Sequence, residues 1–166
     1  MQTFTPCLWF DDRAEEAAKF YVSIFKNSRI KSITLYSEVA ANVSGRPKGS
    51  VLTVAFQLAG QEFLAVNGGP IFKFTEAVSF IVNCKTQREV DYYWEKLTRG
   101  GDKKGRQCGW LKDKYGLSWQ IVPTVLSRML QDQDTTKSER VMSAVLQMKK
   151  LDIKALKQAY AGRPKS

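Results

Sequence analysis

The side chains able to do chemistry are few in this sequence, and one class is missing: it contains no histidine. Imidazole is the most frequent general base and a leading metal ligand, so its absence narrows what the chain can catalyse. Thiols are present at Cys7, Cys84 and Cys108, an odd number without CxxC spacing. Cys108 stands in "QCGWLK", close to Lys103, Lys104 and Arg106. Cations of that kind lower a thiol pKa where they point at it. A cysteine on a strand is otherwise a small buried hydrophobe, the reading that also suits Cys7 and Cys84. In "DKYGLSWQI", residues 113 to 121, an acidic residue and a glycine turn lead into a short aromatic strand bearing Gln120. A neutral amide donates and accepts at once. It suits an organic ligand, and it equally suits neighbouring backbone or a water. Trp9 and Trp110 offer aromatic walls for a flat ligand, or core packing. If Gln120 faces a cleft, alternation sends Trp119 to the opposite side, and puts Cys108 and Trp110 on one face. "NGGP", beginning at Asn67, has glycines but sits at a strand end, and reads as a turn. No glycine-rich loop follows the first strand, as a nucleotide-like cofactor site requires.

Elements that would position these residues come in a repeating order. "FTPCLWF" reads as a strand and "DDRAEEAAKFYVSIF" as a helix with Ala14, Ala17, Ala18, Tyr21 and Phe25 on one face. Asp12 is its expected cap with Glu15 as capping-box partner, and Glu15 to Lys19 is a favourable i,i+4 pair. "RIKSITLYS" alternates as a strand, and "EVAANVSGRPKGS" reads as a flexible loop. "VLTVAFQL" and "QEFLAVN" form a hairpin about Ala59-Gly60. The order then restarts. "AVSFIVNC" is a strand, and the helix "TQREVDYYWEKLTRGG" opens with a Thr86/Glu89 capping box and carries Val90, Tyr93, Trp94 and Leu97 on one face. Strands are expected around Lys103 to Arg106, at "CGWLK" and at "LSWQIV". Pro123 stops the last one, and the remainder is helical. Val141, Val145 and Met148 form one stripe there, and Ile153, Leu156 and Tyr160 another, behind an Asp152 cap. That stripe needs a sheet or a partner subunit to pack on.

Two strand–helix–strands units of this size fit one domain of 166 residues. Their bounds fall at about 4–67 and 77–123, with a helical tail at about 124–162. The fold class expected is α+β, tandem βαβββ units with C-terminal helices. No run of about 18 apolar residues is present, so no membrane span is expected. The start lacks a basic stretch followed by an apolar one, so no secretory signal is expected either. With the cysteine count, this places the chain in the cytoplasm. Net charge is +10. From Lys137 to Ser166, 8 Lys and Arg face 2 acids, a balance of +6. Such a tail can bind nucleic acid through phosphates. Without an accompanying aromatic or glycine-rich motif, a solvated helical face is the favoured reading.

"CLWFDDRAEEAAKFYVSIFKNSRI", "VLTVAFQLAGQEFLAVNGGPIFKFTEAVSFIV", "QCGWLKDKYGLSWQIVP" and "RVMSAVLQMKKLDIKALKQAYAG" together resemble the PhnB-like family, often labelled 3-demethylubiquinone-9 3-methyltransferase. That family is a branch of the vicinal oxygen chelate superfamily of glyoxalase I, bleomycin-resistance proteins and extradiol dioxygenases. The resemblance implies a curved, glyoxalase-like mixed sheet, a homodimer, and a cleft between the two units. In the superfamily, His and Glu side chains on the first and last strand of each unit hold a metal there. Here the corresponding stretches offer Phe4 to Pro6, Val66 and Asn67, Ala77 beside Glu76, and Gln120. A tight transition-metal site is therefore not expected, and no cofactor is assigned. A hard cation recruited weakly through Glu76 and Gln120 is the alternative. The expected function is metal-free binding of a small organic molecule in the cleft between the two units, with Trp9, Asn67, Cys108, Trp110 and Gln120 as ligand-binding candidates and no catalytic residue. The alternatives are an enzyme of the glyoxalase or dioxygenase type, the methyltransferase of the label, and a nucleic-acid-associated protein.

Overall fold

The computed structural model describes residues 4–163, and the chain divides into two units, Met1–Lys73 and Phe74–Ser166. The first contains β1 (Cys7–Phe10), α1 (Ala14–Ile24), β2 (Arg29–Leu35), α2 (Glu38–Ser44), β3 (Val51–Leu58) and β4 (Gln61–Asn67). Its sheet runs β1-β4-β3-β2. β1 is parallel to β4, and the other pairs are antiparallel. Alternation sorts the sheet into two faces. Leu8, Phe10, Val54, Phe56, Phe63 and Ala65 are buried with Ala14, Ala17, Ala18 and Tyr21 of α1. The alanines bring the helix close to the sheet. Phe56 and Tyr21 are fully covered, each worth about 1.5–3 kcal/mol of burial. Trp9, Thr53, Ala55, Leu64 and Val66 fall on the other face and stay half-buried. Ala59 and Gly60 both have positive φ (48° and 90°), as a two-residue type I′ hairpin turn requires.

Two sequence expectations fail in this unit. Residues 38–44 form a helix rather than a flexible loop. The Ser37 hydroxyl accepts from the Ala40 N–H at 3.3 Å, and Gly45 ends the helix at φ 70°. No residue of α2 is buried, so the apolar period that signals a helix is missing. Asp12 does not cap α1. Arg13 holds the cap position with no side-chain bond to a helix N–H, and its guanidinium donates to the Glu16 carboxylate instead. Glu15 does pair with Lys19, at 2.6 Å.

The second unit contains β5 (Ser79–Cys84), α3 (Gln87–Thr98), β6 (Trp110–Lys112), β7 (Ser118–Pro123), α4 (Thr124–Leu130), α5 (Thr135–Leu146) and α6 (Ile153–Tyr160). Its sheet runs β5-β7-β6, with β5 parallel and β6 antiparallel to β7. α3 opens with the expected Thr86/Glu89 capping box. No strand forms around Lys103 to Arg106. The Asp102 carboxylate accepts from the Lys104 N–H at 2.8 Å, and Arg106 donates to the carbonyls of Thr98 and Asp102, which holds the segment in turns. Strand β6 also starts later than expected. Gln107 and Trp110 exchange backbone hydrogen bonds across Cys108-Gly109, whose φ angles are 53° and 85°. Cys108 is thus a turn residue and does not share a strand face with Trp110.

In the tail, Leu126, Met129, Val141, Val145, Leu151 and Leu156 form a core of their own, with Val122 of β7, Met148 and Tyr160 packed against it. Of the Ile153–Leu156–Tyr160 stripe, Leu156 and Tyr160 find cover inside the chain, while Ile153 stays half-buried. The stripe as a whole does not speak for a dimer. Asp152 caps α6 as expected, accepting from the Ala155 N–H at 2.7 Å.

Candidate functional site

Gln120 lies in the middle of β7, alongside Ile81 of β5 and Trp110 of β6. These three side chains leave the sheet on the same side. Trp119 leaves on the other, where it is buried against Phe80 and donates its Nε1–H to Asp113 Oδ2 at 2.9 Å. The expected split between Gln120 and Trp119 therefore holds. Asp113 is buried, and its Oδ1 accepts from the N–H groups of Tyr115 and Leu117. The carboxylate of "DKYGLSWQI" is consumed in building the turn that aims the strand, and is not available as a ligand.

The Gln120 side is half-open. Ile81 is 54% exposed, while Gln120 and Trp110 are half-buried. Gln120 Nε2 donates to Ser79 Oγ at 2.9 Å. Its carbonyl oxygen has no hydrogen-bond partner among the described residues. Two places earlier on β7, Ser118 Oγ is buried without a hydrogen-bond partner among the described residues, a group that costs stability unless something meets it. Lys112 stands opposite Ser118 and reaches Glu76 in an ion pair. Hydrogen bonding from Lys112 holds the exposed Glu76 carboxyl below the usual carboxylate range.

Glu76 has an ammonium ion as its partner, and Gln120 adds no charge. No three His, Cys, Asp or Glu side chains converge among the described residues. The donor set does not fit a tightly held transition metal.

The other expected residues are scattered. Asn67 is buried and spends its amide on structure. Oδ1 accepts from the Ala14 N–H at 2.8 Å, capping α1, and Nδ2 donates to the Val51 carbonyl at 3.0 Å. Trp9 donates Nε1–H to the Gly69 carbonyl at 2.9 Å and meets Phe72 edge-on at 5.0 Å. Gly68 lies so close to the Trp9 ring that a Cβ there would sit 2.0 Å from it. Gly68 of "NGGP" thus makes room for an indole. Neither this turn nor the Asp11-Asp12-Arg13 junction before α1 offers the open, glycine-lined backbone of a nucleotide-like cofactor site. Cys108 leans on the tail core, with its N–H donated to the Met148 carbonyl at 2.7 Å. Cys7 is exposed, against the buried place expected of it, and its partial burial still raises its thiol pKa; Cys84 is buried, and burial with the Glu89 charge nearby raises it to about 11. Neither thiol is shifted toward the thiolate.

Ser79, Ile81 and Lys112 belong to the Gln120 face and were missed from sequence. Period-2 alternation puts Ser79 and Ile81 on one side of "AVSFIVNC". Which strand that side borders is set by long-range pairing, which one sequence does not show.

The family model described as 3-demethylubiquinone-9 3-methyltransferase matches residues 2–122. Among solved structures, the chain is similar to a PhnB protein from Bacillus cereus, with 37% identity over 74% of this chain and 100% of that one, and a TM-score of 0.62. Protein PA1353 from Pseudomonas aeruginosa is 15% identical over 74% and 98% of the two chains, with a TM-score of 0.57. The fosfomycin resistance protein FosX from Listeria monocytogenes, in complex with Mn(II) and sulfate, is 17% identical over 77% and 94%, with a TM-score of 0.51. These last two likenesses show the fold alone. A search of curated proteins gives no match.

Proposed function

This chain belongs to the 3-demethylubiquinone-9 3-methyltransferase (PhnB-like) family, and from that premise we propose that it binds a small organic molecule without a metal, on the Gln120 face of its second unit. The observation that carries the reading is the tethered amide. Ser79 holds Gln120 Nε2, which orients the free carbonyl oxygen beside Trp110 and the exposed Ile81. An acceptor fixed between an aromatic ring and an aliphatic side chain is the usual composition of an organic-ligand site. Its ligand carries a hydrogen-bond donor on a flat or apolar body. The buried Ser118 hydroxyl and the Lys112–Glu76 pair bound the same face.

The proposal includes a homodimer in a reducing cytoplasm, supported by the family resemblance and by the free state of all three cysteines. No helix among the described residues is long and apolar enough to cross a membrane. The test is native mass spectrometry of freshly purified protein, without chelator or added metal. The expected spectrum shows dimers free of stoichiometric metal, with an organic adduct that is lost in Gln120→Ala. One metal ion per subunit, lost in Gln120→Ala or Glu76→Ala, would overturn the reading in favour of a metal-dependent enzyme.

A further inference from the structure

The surplus charge of the tail is concentrated by the fold. Lys137 pairs with Asp134, Lys150 pairs with Asp91, and Arg140 donates to the carbonyls of Ala159 and Tyr160. Lys154, Lys157 and Arg163 take part in no ion pair among the described residues. These three cations line one groove of about 520 Å3, together with Gln87, Asp152 and Gln158. Helical geometry explains why they meet. Leu156 points into the tail core, so positions 154, 157, 158 and 161 of the α6 segment fall together on the outward side. Position 161 is alanine, which leaves space above the helix.

The groove has a fixed wall. Gln87, the first residue of α3, accepts from the Ile153 N–H at 2.8 Å and donates to the Leu151 carbonyl at 3.3 Å. This clamp seats the start of α6 against α3. Asp152 is the acid on the groove, and its Oδ1 is spent on the Ala155 N–H. Three cations against one carboxylate leave a local charge of 3 − 1 = +2.

We infer that this groove is a second binding site, for a small phosphorylated anion bearing two or more negative charges. Lysine and arginine donors on a rigid wall suit phosphate oxygens. The groove's size is that of a small-molecule site. No aromatic ring lines it, so it lacks the stacking platform with which proteins hold single-stranded nucleic acid. Its three cations lie beyond residue 122, outside the stretch matched by the family model, while the Gln87 wall falls within it, and the groove shares no lining residue with the Gln120 face.

The experiment is calorimetric titration of the full chain with inorganic tripolyphosphate, at low and at physiological ionic strength. Saturable binding of one anion per subunit is expected, weaker at the higher salt. Lys154→Gln and Lys157→Gln should each weaken it by about tenfold, the scale of one charge-assisted contact. Both lysines are exposed, so the variants keep the fold, and circular dichroism verifies that. Gln120→Ala should leave the affinity unchanged, which separates this site from the one proposed above. Absence of saturation, or affinity unmoved by both lysine substitutions, would overturn the inference. Tighter binding of a single-stranded oligonucleotide than of tripolyphosphate through the same lysines would also overturn it, and would assign the groove to nucleic acid.

Discussion

Replacing Asn67 with alanine tests whether this residue serves the fold or a ligand. The substitution removes two hydrogen bonds and leaves a third, since the Asn67 backbone carbonyl still accepts from the Tyr36 hydroxyl at 2.6 Å. The Ala14 N–H loses its cap, a loss of about 1 kcal/mol. The Val51 carbonyl loses its donor, and leaving such a group unmet costs about 1–3 kcal/mol. Together these give a destabilisation of about 2–4 kcal/mol. With an m-value of about 2 kcal/mol/M for a domain of this size, the urea midpoint should fall by about 1–2 M. Asn67→Asp should fall less. It keeps an acceptor at the N-terminus of α1, where a negative charge is favourable by about 0.3–1 kcal/mol, but it sets an oxygen against the Val51 carbonyl. Urea unfolding followed by circular dichroism, on protein stripped of small molecules, is the assay. A midpoint shift below about 0.5 M for Asn67→Ala with unchanged m would refute the structural role. If ligand affinity fell at the same time, Asn67 would return to the binding residues.

Gly68→Ala should destabilise the first unit by about 1–3 kcal/mol, because the added Cβ meets the Trp9 ring at 2.0 Å. The ring must swing and break its bond to the Gly69 carbonyl, so a shift in tryptophan emission checks it. The Asp91 carboxyl is held below its ordinary value of 3.8 by Lys150 first and Gln87 second. A depressed folded pKa gives stability that is present above the unfolded value and lost as pH falls through the folded one. The contact between α3 and the segment before α6 should therefore loosen below about pH 4. In Asp91→Asn this acid-dependent part is absent, and urea midpoints measured at a series of pH values show the difference.

Much of the fold was legible because its signals are local. Alternation in β3 and β4, the Thr86/Glu89 capping box, the Ala59-Gly60 turn and the Asp152 cap are each written in a few adjacent residues. Failures came where a distant group replaced a local one. Asp12 has the side chain of a cap, but Asn67 takes the role from 53 residues away. Cys108-Gly109 lacks the usual asparagine or aspartate of a type I′ turn. Its left-handed cysteine is held by the Met148 carbonyl, 40 residues on. α2 has a serine cap and a terminal glycine, but no buried face to give it a period. For the face proposed as the site, the sequence names Gln120 and Trp110. It gave no access to Ser79, Ile81 or the Lys112–Glu76 pair, because the registry of β5 and β6 on β7 is a property of the folded sheet.

The cap on α1 also has a consequence in time. The first helix is complete in the nascent chain when Ile24 has been added, but its leading N–H has no partner until Asn67 arrives. At 5–20 residues per second, the 53 residues between Ala14 and Asn67 take roughly 3–10 s to make. Until then α1, 11 residues long, is a marginal helix in water. The strand that supplies its cap, β4, is also the one that pairs with both β1 and β3.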